Sequence, residues 1–253
     1  MADNYTIAET YTLPSEGKIY KVQVKPQVKI RSMTTEDEMK RLSHTETPYK
    51  ILCDIIDDCI VEPIGISSYD MHLGDYQLLL HRLRVVTYGT DYPTSSICPV
   101  CGRANKTVLN LDDIENISPD ENFKNLFNVT LPRTGRQVTL RFETPRDIDE
   151  ISAEVKKFTR ENPDSKLDIN YLYTLKHIIS TVDGKKLNPI MLEQFLRKLP
   201  LMDSNLIMQR AAKINEGVGI NTKIKNHCQN PKCGVDYTTT FRVTSEFFGP
   251  SNY

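Results

Sequence analysis

The sequence has no excess of either charge, with 32 lysines and arginines against 33 aspartates and glutamates. A chain so balanced lacks the electrostatic footprint of a dedicated nucleic-acid binder, although net charge does not report how the charges are distributed. It has no apolar run of roughly 18 residues or more, so no membrane-spanning helix is expected. Its opening, Met1-Ala2-Asp3-Asn4-Tyr5-Thr6, carries neither a basic nor an apolar stretch and does not read as a signal peptide. Histidine is scarce, five in 253 residues. His44, His72, His81 and His177 stand apart from one another, which leaves little for a histidine-centred active site. The patterns Gly-x-Gly-x-x-Gly, Gly-x-x-x-x-Gly-Lys-Ser/Thr, His-Glu-x-x-His and Gly-x-Ser-x-Gly are all missing. These absences point away from an enzyme and from a small-molecule substrate.

What is present fits a folded protein of one large or two small domains: 39% hydrophobic and 26% charged residues. Six cysteines without a secretion signal read as metal ligands plus reduced core thiols in a reducing compartment. Cys98-x-x-Cys101-Gly102 and Cys228-x-x-x-x-Cys233-Gly234 are two turns of the same local shape, each between residues suited to strands. Both spacings lie within the two-to-four range of structural zinc sites. Four thiolates from Cys98, Cys101, Cys228 and Cys233 make a closed tetrahedral shell with no open position for water or substrate, and thiolates favour zinc over magnesium or calcium. The expectation is one structural zinc ion, Zn(2+), holding a discontinuous ribbon that ties the two parts of the chain together. His227, next to Cys228, is expected to neighbour the site and not to bind the ion. Cys53 and Cys59, six apart on a predicted helix, fall on different faces and read as core thiols. Asp54, Asp57 and Asp58 on that helix read as a solvated face.

Along the chain, strand spacing at Val22, Val24, Val28 and Ile30 predicts an extended arm over residues 1–30, broken at Pro26. Thr35 with Glu38 reads as a capping box, Thr47-Pro48 opens a second helix, and Asp75 is expected to cap a third. In that third helix Leu79, Leu80, Leu83 and Val86 form a stripe, with Arg82 and Arg84 off it. Residues 31–90 thus read as a helical subdomain, and 91–112 with 220–244 as the two ribbon halves. Residues 113–219 form an inserted hairpin and helical subdomain. Its hairpin pairs Val129–Leu131 with Val138–Phe142. A helix follows from Thr144-Pro145 to about Asn162. Further helices are expected near Asp168–Ser180, Pro189–Lys198 and Asp203–Asn215, the last ended by Gly217. No internal repeat at solenoid spacing is visible. The tail, 245–253, offers Phe247, Phe248 and Tyr253 either to a partner's groove or to the chain's own core. The fold class expected is α+β.

Short motifs follow one another along the chain: Leu13-Pro14-Ser15-Glu16-Gly17, Ile30 to Glu38, Asp58-Cys59-Ile60 with Pro63, Leu73-Gly74-Asp75 and Tyr88-Gly89. They continue with the first knuckle, Leu111-Asp112-Asp113-Ile114, Leu131-Pro132 with Gly135, the second knuckle, and Phe247-Phe248-Gly249-Pro250. In this order they resemble the T4-type baseplate hub family of contractile-tailed bacteriophages. The four-residue gap of the second knuckle is wider than the two-residue form expected from the family. The resemblance implies a hub component or hub assembly factor in the virion tail baseplate, or in the host cytoplasm during assembly. Its partners would be other baseplate and tail proteins. A zinc-ribbon nucleic-acid-binding protein is the alternative, with Lys223, Lys225, Lys232 and Arg242 supplying phosphate contacts. A zinc-dependent hydrolase would require an open coordination position.

Overall fold

The computed structural model describes residues 6–241 and 245–248. The fold is mixed α+β, with small sheets of two or three strands. β1 (Ala8–Thr12) and β2 (Gln27–Arg31) form a hairpin, followed by α1 (Thr35–Arg41), α2 (Pro48–Cys59) and α3 (Leu73–Tyr88). The hairpin β3 (Asp91–Ile97) and β4 (Ala104–Asn110) carries the first knuckle at its tip. β5 (Asn116–Ile117) lies in the connection to a three-stranded sheet, β6 (Asn128–Thr130), β7 (Gln137–Leu140) and β8 (Ile179–Val182), in that spatial order. α4 (Pro145–Glu161) and α5 (Ile169–Ile178) run between β7 and β8; α6 (Pro189–Arg197) and α7 (Leu201–Glu216) follow. β9 (Gly219–Ile220) pairs with β5, and the hairpin β10 (Lys223–His227) and β11 (Asp236–Thr240) carries the second knuckle.

Apolar side chains sort into two cores. One gathers Val28, Ile30, Ile55, Leu79 and Phe247; the other gathers Val138, Leu175, Ile178, Ile207 and Ile214. Around them the two halves of the chain repeat one plan. Thr12-Leu13-Pro14-x-x-Gly17 and Thr130-Leu131-Pro132-x-x-Gly135 close the first hairpin of each half. The Leu13 N–H donates to Pro26 O at 2.8 Å and that of Leu131 to Arg136 O at 2.9 Å. The next strand ends in Arg-x-x-Thr-x-x-Asp twice, at Arg31–Asp37 and Arg141–Asp147. In both, the Thr and Asp form a reciprocal capping box, and the Arg donates to the Asp carboxylate at 2.7 Å. After the second helix of each half the chain returns to that strand, as the single bridge Ile30↔Ile60 and as β8, with Leu140↔Ile179. Then, after α6 in the second half, comes a sixteen-residue helix opening Leu-x-Asp, α3 or α7. Its aspartate reaches back to the Pro-turn of its own half. Asp75 accepts from Ser15 N at 3.0 Å and Ser15 Oγ at 2.5 Å; Asp203 accepts from Arg133 N at 2.8 Å and Thr134 N at 3.0 Å. A glycine, Gly89 or Gly217, ends the helix, and a knuckle hairpin follows.

Several local expectations are corrected. The cap of α1 is Thr34 with Asp37, not Thr35 with Glu38, because Asp37 is fixed by Arg31 while Glu38 pairs with Arg41 at 2.6 Å. α3 is capped by His72, not Asp75. His72 Nδ1 accepts from Gly74 N at 2.9 Å and Nε2 faces Ile214 O at 3.2 Å, so one neutral tautomer serves both. Burial holds its pKa below the usual histidine value. Arg84 does not lie off the buried side of α3. It is 1% exposed, with its guanidinium 4.8 Å from the Tyr88 ring and 5.5 Å from that of Tyr92. The helix expected to Ser180 stops at Ile178, because Ile179–Val182 complete a sheet. α7 starts at Leu201 and not at Asp203. Val22 is 54% exposed and Val22–Val24 form no strand, whereas β2 is packed inward with Val28 and Ile30 fully buried.

The halves are held together by polar contacts as well as apolar ones. Thr47 makes no side-chain cap for α2; instead the Asp149 carboxylate of α4 accepts from Tyr49 N at 3.3 Å and Lys50 N at 2.9 Å. Arg146 pairs with Asp70 at 2.7 Å, and Leu73 N donates to Glu143 O at 3.2 Å. At the tightest crossing a Cβ on Gly74 would sit 1.9 Å from Val218 O. Glycine lets α3 and the strand of the other half touch there, backbone against backbone.

Candidate metal centre

Each knuckle is a tight turn set by its own sequence. Cys98 N donates to Arg103 O at 2.9 Å and Cys228 N to Val235 O at 2.9 Å, closing the two hairpin ends. Gly102 (φ 71°) and Gly234 (φ 56°) take the left-handed conformation that lets the chain turn back after the second cysteine. The longer second turn uses its extra residues as a further turn, with both Cys233 N and Gly234 N bonded to Asn230 O.

Alternation along the strands sends one side of each hairpin inward, where the two meet face to face. Ser96 Oγ lies 2.7 Å from the Tyr237 hydroxyl, and Asn105 Nδ2 donates to that hydroxyl at 2.9 Å. Asn105 Oδ1 accepts from Gln229 N at 2.8 Å, so this fully buried amide stitches one hairpin to the other. The stacking brings all four sulfurs together. Cys98 Sγ lies 3.9 Å from Cys233 Sγ and Cys101 Sγ lies 3.5 Å from Cys228 Sγ, with all four ligand atoms within 4.8 Å of one another.

This donor set fits a thiolate-bound metal. A tetrahedral ion with metal–sulfur bonds of about 2.3 Å separates its ligand sulfurs by about 3.8 Å. The backbone N–H of Arg103 and the Asn230 side chain hold the Cys101 thiol down to about 6. Cys233 is pushed up to about 12: the Val235 N–H favours its thiolate, but burial and the neighbouring thiols outweigh it. One thiol ionises easily and its neighbour then resists, and a bound cation relieves that repulsion.

His227 stands beside the centre but faces Asp236, 2.7 Å away, on the outer surface. Cys53 and Cys59 are fully buried in the first core, and burial raises both thiols to about 12. Asp54 and Asp58 pair with Lys50 and Lys40 on the surface, whereas Asp57 accepts from Ser67 and Ser68. Sequence reasoning missed a second cluster, Asp147, Glu150 and His177. Its central carboxylate is already taken by Arg141 and the helix cap, which leaves it structural. Lys223 and Lys225 lie exposed on β10, Lys232 is exposed at the knuckle, and Arg242 falls outside the described residues. Phe247 and Phe248 pack in cis, each 1% exposed, while Tyr253 falls outside the described residues. No described helix is long and apolar enough to cross a membrane.

Two halves of one plan, meeting at a buried amide and four clustered thiols, define an α+β protein clasped by cysteines that lie far apart in sequence. The chain belongs to the family described as T4 bacteriophage base plate protein, whose model matches residues 5–249. It is thus a phage baseplate structural protein. No curated protein and no solved structure gives a significant match.

Proposed function

We propose that the chain is a component or assembly factor of the baseplate hub, locked by one structural zinc ion bound to Cys98, Cys101, Cys228 and Cys233. The observation that carries this reading is the family match over nearly the whole chain, joined to four thiols gathered from two distant turns. The ion would supply no chemistry to a substrate, since four sulfur ligands leave it no open position. Its role is to fix the two hairpins against each other, so that the halves present one rigid surface to other tail proteins. The chain works by protein–protein contact in the tail baseplate and, before that, in the host cytoplasm, and not by catalysis.

Elemental analysis of the wild type, Cys98→Ser and Cys228→Ser tests the clasp. One zinc per wild-type chain, lost in each variant together with a lower Tm, supports it. No metal in the wild type, or metal retained in either variant, overturns it. Co-expression with the other tail proteins and light scattering on the product tests the assembly role, which fails if no complex forms. The nucleic-acid reading has in its favour the alternating Lys223 and Lys225 on the outer face of β10. A salt-dependent shift of labelled DNA would revive it.

A further inference from the structure

The two halves also differ in the loop after the Leu-Pro turn. Nine residues separate Gly17 from β2, and one separates Gly135 from β7. Val24 of the added segment returns to the first core, but its earlier residues do not stay there. They cross to the second half, where Ile19 packs on the second core and the Tyr20 ring meets Phe142 edge-on at 5.7 Å. The Tyr20 hydroxyl is anchored to the first half, donating to Asp75 at 2.5 Å and accepting from His72 N at 3.1 Å. Between this segment and the second sheet lies a groove of about 860 Å³, walled by Ile19, Val22, Ile66, Phe123, Phe127 and Phe142.

Three features of the groove specify an occupant. Its walls are aliphatic and aromatic, and they suit apolar side chains. The backbone N–H and C=O groups from Ile19 to Val22, where a turn and bend line the groove, make no hydrogen bond among the described residues. The charges at its edge are also mainly basic once existing ion pairs are set aside, two lysines against one carboxylate. Lys18 is paired with Glu16, Arg141 with Asp147 and Asp70 with Arg146, which leaves Asp120 as the one lining carboxylate without an ion pair among the described residues. Lys21 and Lys124 have no counter-ion among the described residues.

We infer that this groove docks a segment of a different baseplate protein in which apolar side chains are flanked by carboxylates. The apolar side chains fill the cavity, polar groups of the segment meet the free backbone groups of Ile19–Val22, and the carboxylates meet Lys21 and Lys124. The inference rests on the baseplate reading above, and it names the place on the chain where that contact is made.

The test uses the full chain carrying Val22→p-benzoylphenylalanine, co-expressed with the other baseplate proteins, irradiated and mapped by mass spectrometry. The expected result is a crosslink to an apolar, acid-flanked segment of another tail protein. Its yield should fall at least about fivefold in the Lys21→Glu/Lys124→Glu variant, whose two exposed positions leave the fold intact. A crosslink to the chain's own termini, to a second copy, or to a segment without carboxylates overturns the inference. So does the absence of any crosslink, or a yield unmoved by charge reversal. Affinity recovery of the complex before irradiation separates the two levels. Tail proteins recovered without a Val22 crosslink sink the groove alone, and no tail proteins recovered sinks the baseplate reading itself.

Discussion

At the third position of their sixteen-residue helices the two halves carry the same carboxylate, Asp75 and Asp203, yet one position earlier they carry Gly74 and Met202. The shared aspartate answers a demand internal to each half, the free N–H groups of its own Pro-turn. The unshared position answers the neighbour. Gly74 lies under the backbone of the other half, while Met202 is 54% exposed. The same contrast recurs at Asp149, which caps a helix of the first half, and its counterpart Met39, which is 69% exposed. Residues that build the unit are repeated, and those that join the units are not.

That division makes paired predictions. Gly74→Ala should have the largest effect, at least about 4 kcal/mol in urea unfolding, because backbone blocks its new methyl. Met202→Ala should stay within about 0.5 kcal/mol; equal losses would break the distinction. Phe247→Ala removes a plug found only in the first half, a fully buried ring against Phe241 and Tyr92, and should cost about 3–4 kcal/mol by the same assay.

His81 is buried against Phe247 with no hydrogen-bond partner for either ring nitrogen among the described residues, and burial, helped by the Arg82 charge, lowers its pKa to about 4. Its counterpart in α7, Gln209, is exposed. Between pH 4 and about 6.5 the unfolded chain binds the extra proton, so the neutral ring's contribution is intact above pH 6.5 and fades as pH falls towards 4. The wild type should lose about 2 kcal/mol by pH 5 relative to His81→Phe, followed as Tm against pH. A flat difference would show that His81 is not the group that titrates.

Arg31→Ala and Arg141→Ala, which break matching contacts, should each cost about 1–2 kcal/mol after allowance for solvent screening. Burial would raise the pKa of Asp37, but Arg31 and Thr34 hold it down to about 2, and Asp147 is depressed further by His177 and Arg141. Stability from both is complete above pH 4; that from Asp37 is lost as pH falls to about 2, and that from Asp147 at lower pH still. Either arginine variant should blunt that acid loss.

Much of this was legible in the chain. The Thr144-Pro145 start of α4, the helix before Gly217 and the four cysteines follow from local chemistry, and local chemistry is what sequence reports. Other features depend on distant partners. β8 looks helical until β7 is beside it, and Asp75 looks like a cap until Ser15 and Tyr20 are seen to use it. The doubled plan hides for a related reason. Only turn, cap and knuckle residues are shared, and they drift in spacing, from 110 residues between Asp37 and Asp147 to 128 between Asp75 and Asp203. No fixed period exists to be noticed.

The knuckle order carries a consequence for synthesis. Cys101 and Cys228 are 127 residues apart. At roughly 5–20 residues per second, the first pair of thiols waits roughly 6–25 s on the ribosome before its partners are made. During that interval the leading half must hold its shape through its own hairpin, cap and Asp75 latch, with an unfinished site at its edge. The gathering of the four sulfurs is therefore a late event in the life of each molecule, since it waits for the second knuckle to be made.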